Sequence, residues 1–83
     1  MFINKTHDGL NNRCGKVIGQ RRRELEKSQR QLADMLQIAG LDIDKNAVQR
    51  IESGKRFVTD IELVYFSRVL GLSYEDLLGN PED

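Results

Sequence analysis

Eighty-three residues, 39% of them apolar and 31% charged, describe one soluble domain rather than a disordered tail. Folding at this length buries only about 60% of the unfolded surface, which leaves room for one core and little for an enclosed active site. No apolar run reaches the roughly 18 residues of a membrane span. The formal net charge is zero, but residues 1–56 hold twelve of the thirteen Lys/Arg against seven Asp/Glu, while 57–83 hold Arg68 against six acids. Such segregation predicts a basic face with an acidic back. The single cysteine, Cys14, has no internal disulfide partner, and the first residues lack the apolar stretch of a signal peptide. A cytoplasmic protein is expected.

Residues 1–11 show no sustained periodicity; Asn4, Asp8, Gly9, Asn11 and Asn12 favour turns, and the segment reads as a flexible arm. A first helix is predicted from about Asn12 to Lys27, with Val17, Ile18 and Leu25 on one side and Cys14 a turn earlier. Gly15 and Gly19 weaken its start. Arg21, Arg22 and Arg23 follow one another at roughly 100° per residue and must splay around the helix.

Ser28 followed three residues on by Gln31 is a capping-box spacing. The second helix, Gln29 to about Ala39, turns Leu32, Ala33, Met35 and Leu36 inward and stops at Gly40. Leu41-Asp42-Ile43 connects, with two apolar residues due for the core. Asp44 caps a third helix, Lys45 to Ser53, whose buried side is Ala47, Val48 and Ile51 and whose display is Lys45, Asn46, Gln49 and Arg50. After Gly54 and the link 55–58, Thr59 or Asp60 caps a fourth helix, Asp60–Leu70, with Leu63, Phe66, Ser67 and Leu70 on one face. Ser73 caps a final short helix in which Leu77 and Leu78 close the core. Residues 80–83 form a tail. With no strand candidate of similar strength, the fold class is all-α: five short helices over residues 12–79.

Two short helices with a tight connection, followed by more, make a helix-turn-helix outline. The second of the pair needs one small apolar face to lie on the first. Its other face must be free to enter a groove about 12 Å wide. Arg50 and Asn46 suit that work, because Arg bonds guanine O6 and N7 together and Asn bonds adenine N6 and N7 together. Catalysis finds no comparable constellation. His7 and Cys14 have no metal spacing, Glu75-Asp76 and Glu24/Glu26 read as solvated turns, and no Gly-rich phosphate loop exists. Neither an enzyme nor a cofactor is expected.

The stretches SQRQLADML, NAVQRIESGKR and ELVYFSRVLGLSYEDLLG resemble the phage-repressor and Cro (Xre-type) helix-turn-helix family, over roughly Val17 to Gly79. The resemblance implies a compact five-helix, lambda-repressor-like domain that binds duplex DNA sequence-specifically. It also implies a transcriptional regulator, a repressor acting by operator occupancy, often as a homodimer. By position, Lys45, Asn46 and Arg50 would face bases with Gln49 close by. Gln29, Lys55 and Arg56 would meet phosphates, and Arg22 would pair with Glu52.

The chain departs from the family pattern where Gln37 replaces a usual glycine and IAGLDID adds about five residues. That predicts an extra turn on the second helix and a longer connector, with Leu41 or Ile43 in the core. Lys27 stands where an apolar residue is usual; its stem can pack while the ammonium reaches water. Phe57, Ile61, Tyr65 and Tyr74 exceed what so small a core needs and point to a subunit contact. The rival reading is a protein-interaction module, an antitoxin or adaptor on the same fold. The polar and cationic display of the third helix favours DNA over a protein partner.

Overall fold

The computed structural model describes residues 4–79; the expected tail 80–83 and the first three residues of the expected arm lie outside them. Five helices follow in order: α1 (Gly15–Glu24), α2 (Gln29–Ala39), α3 (Lys45–Glu52), α4 (Asp60–Leu70) and α5 (Tyr74–Leu78). No strand occurs among the described residues.

Local chemistry sets most of the boundaries. Ser28, Thr59 and Ser73 each accept a bond from the third residue of their helix, and that residue's side chain bonds back to the cap backbone. Asp44 Oδ1 accepts from Ala47 N–H at 2.8 Å and starts α3. Gly40 and Gly71 adopt left-handed conformations that end α2 and α4.

α1 is shorter at both ends than its periodicity predicts. Asn12 stays outside it, and its Oδ1 accepts from Gly15 N–H at 2.8 Å. At the other end Glu26 takes φ +58° and reverses the chain. Arg22 then donates to Lys27 O at 2.9 Å across that reversal.

The core is one cluster drawn from every helix: Cys14, Ile18, Leu32, Ala33, Leu36, Ile43, Val48, Ile51, Phe66, Leu70 and Leu77. Phe66 is the largest of these side chains with no exposure. α2 packs on both α3 and α4, and α1 packs on α3, α4 and α5. Leu78, expected in the core, is 40% exposed. Leu77 and Leu78 diverge by about 100° on a five-residue helix, so only one can point inward.

The connector before α3 packs against the core, as expected from its apolar residues. α2 runs on through Ala39, and Leu41 N–H donates to Leu36 O at 2.9 Å in a Schellman-type turn. Ile43 is buried and Leu41 partly so. Gln37 Nε2 donates to Ile43 O at 2.7 Å, tying the last turn of α2 to the connector it precedes.

Candidate nucleic-acid interface

α3 separates its residues cleanly by side. Val48 and Ile51 have no exposure and Ala47 packs partly against the core. Lys45, Asn46, Gln49 and Arg50 are all exposed. Positions i, i+1, i+4 and i+5 share one face at roughly 100° per residue, so the four form a single polar surface. Among the described residues, the side chains of Lys45 and Arg50 find no ion-pair partner.

The orientation of that surface is held from behind. Arg22 Nε donates to Glu52 Oε2 at 2.8 Å and its second terminal nitrogen to Oε1 at 3.0 Å, a bidentate pair. Gln29 Nε2 adds a bond to Glu52 Oε1 at 3.2 Å. Glu52 therefore joins α1, the first turn of α2 and the end of α3. Its hydrogen bonds raise the Arg22 pKa above the ordinary value. The three arginines diverge. Arg21 bonds Leu70 O at 2.9 Å, Arg22 holds Glu52, and Arg23 is exposed beside a cleft bordered by Gln29 and Gln49.

The link after α3 carries Lys55 and Arg56. Lys55 is exposed. Arg56 is half-buried and donates to both oxygens of Glu62, at 3.1 and 2.9 Å, and to Phe57 O at 3.1 Å. Glu62 also accepts from Thr59 N–H at 2.9 Å. Burial pushes the Glu62 pKa up, but the bonds from Arg56 and Thr59 outweigh it and hold the carboxyl below its ordinary value. Sequence reasoning missed this pair, although the Thr59-x-x-Glu62 spacing of a capping box was there to be read.

It also missed Asn12, which looks like a turn former. Asn12 is buried, and its Nδ2 donates to Ile51 O at 3.0 Å and Arg56 O at 2.8 Å. No sequence pattern marks that contact, because it joins residues about forty positions apart.

A helix-turn-helix family model matches residues 18–77, most of the chain, including α2, α3 and the Arg22–Glu52–Gln29 junction. The chain belongs to the Xre/Cro/C1-type helix-turn-helix family. It is thus a DNA-binding helix-turn-helix domain, with α2 and α3 as its pair. Comparison with curated proteins and with solved structures gives no match.

In this helix-turn-helix domain the remaining chemistry is sparse. Cys14 is buried, and desolvation pushes its thiol up to about 11, which keeps it protonated and unreactive. His7 lies exposed in the lead-in before α1. Among the described residues no group of three His, Cys, Asp or Glu is placed to hold a metal ion. No helix among them is long and apolar enough to cross a membrane.

Proposed function

We propose that this helix-turn-helix domain is a sequence-specific transcriptional regulator of the cytoplasm, a repressor that acts by occupying its operator with α3 in the major groove. The observation that carries the reading is the four-residue polar face of α3, backed by the Arg22–Glu52–Gln29 junction. A helix held that firmly projects these side chains from a fixed backbone, the starting point for discrimination between base edges.

Lys45, Asn46 and Arg50 read bases with Gln49 beside them. Gln29, Lys55 and Arg56 approach phosphates. Of these, Lys55 has the greatest freedom to reach one, since Arg56 is engaged by Glu62 and Gln29 by Glu52. The regulator works as a homodimer on a two-fold operator, with exposed Phe57, Ile61 and Tyr74 as candidate contact residues. Selection of bound sites from a random duplex pool tests the reading. An enriched two-fold motif supports it; a pool that enriches nothing while the folded protein is present refutes it.

The exposed apolar residues, Ile38 at 88% above all, favour a second reading in which the same domain docks on a protein. Salt-dependent retention on duplex DNA separates the two, because counterion release is specific to the polyelectrolyte.

A further inference from the structure

The lead-in before α1 is fastened to the far end of α3. Asn11 N–H donates to Gly54 O at 2.8 Å, and Asn11 Nδ2 to Lys55 O at 2.9 Å. Asn12 Nδ2 donates to Ile51 O and Arg56 O. Two consecutive asparagines thus donate to four carbonyls: Ile51 O in the last turn of α3, which also accepts from Gly54 N–H, and the carbonyls of Gly54, Lys55 and Arg56 in the link that follows. Leu10 lies over Gly54, whose φ is +78°; a Cβ there would come within 2.7 Å of Leu10 Cδ2. The lead-in is itself closed by Thr6, which accepts from Leu10 N–H at 2.9 Å through Oγ1 and donates its own N–H to Leu10 O at 2.8 Å.

Lys55 is the residue this arrangement governs. Its N–H donates to Arg50 O at 2.9 Å and its carbonyl accepts from Asn11, so both backbone groups are fixed while the side chain stays exposed. The family match begins at residue 18, so the lead-in lies outside the part of the chain the family shares.

We propose that Asn11 and Asn12 are positioning residues of the DNA interface, forming a strap that sets where Lys55 meets the phosphate backbone. The proposal rests on the reading that Lys55 makes that contact. A cation held by a fixed backbone reaches a phosphate with less ordering to do on binding, so releasing the strap should weaken the contact without touching the base readers.

The test is salt-dependent binding to sonicated calf-thymus duplex by the full chain, with thermal melts to certify folding. Asn11→Ala removes the bond to Lys55 O, and with it the bond that Asn11 Oδ1 accepts from Lys5 Nζ at 2.8 Å, and leaves the buried Asn12 in place. It is expected to bind several-fold more weakly and to flatten the salt slope by up to about one unit, the loss of one phosphate contact, as Lys55→Ala does. The Asn11→Ala/Lys55→Ala double variant should be no flatter than Lys55→Ala alone. Asn12→Ala should show the larger loss; where it does not fold, Asn11→Ala decides. Unchanged binding by a folded Asn11→Ala, or slope losses that add in the double variant, overturn the strap alone. A wild-type chain with no salt-dependent binding overturns the DNA reading and the strap with it.

Discussion

Glu52→Ala is the perturbation whose cost can be worked most directly from the geometry. Glu52 accepts three hydrogen bonds, at 2.8, 3.0 and 3.2 Å, from Arg22 and Gln29. The Arg22 and Glu52 side chains are only 13% and 9% exposed. Removing the carboxylate leaves a guanidinium largely withdrawn from water with no counter-charge. Breaking a fully buried pair costs about 3–5 kcal/mol. Glu52 lines a cleft open to solvent, and partial solvation on that side reduces the cost to about 2 kcal/mol. For a domain of this size that is a fall in Tm of about 8–16 °C. Urea denaturation of wild type, Glu52→Ala, Arg22→Ala and the double variant measures it. The cycle should return a coupling of at least about 1 kcal/mol, because the second substitution removes a partner already lost. A Glu52→Ala protein that melts within about 2 °C of wild type, or a cycle with no coupling, refutes the reasoning.

Four shorter tests accompany it. Arg50→Ala should cost about 1–3 kcal/mol on a selected site and relax preference at one base pair, read by titration against matched and mismatched duplexes. Gly15→Ala should destabilise by about 1–3 kcal/mol in urea despite alanine's better helix propensity, since a Cβ there collides with Ile51 O and with Asn12 Oδ1 at 2.8 Å. Gln37→Ala should lose about 1 kcal/mol with the bond to Ile43 O, and amide exchange across the connector should accelerate. The Glu62 carboxyl is held below its ordinary value when folded. Its contribution is therefore complete above the unfolded pKa of about 4.3 and disappears as pH falls through the lower folded value. Stability followed by urea from about pH 6 to 3 should show that loss, and Glu62→Gln should lessen it.

The sequence alone determined the parts of this protein that depend on neighbours along the chain. Capping pairs at Ser28–Gln31 and Asp44–Ala47, terminating glycines at 40 and 71, and apolar spacing within α2, α3 and α4 act over one or two turns. Helix positions and the buried side of α3 were therefore legible. The same locality made the four-residue display on α3 readable, since one buried side of a helix dictates the other. Tertiary structure decided what joins distant positions. Only the folded chain shows that Glu62 engages Arg56, that Leu78 turns outward while Leu77 fills the core, and that Asn11 and Asn12 reach residues about forty positions on. Those contacts carry no periodicity. They arise where helix ends expose carbonyls and charges that must be satisfied by whatever the packing brings near, and that supply is a property of the assembled globule.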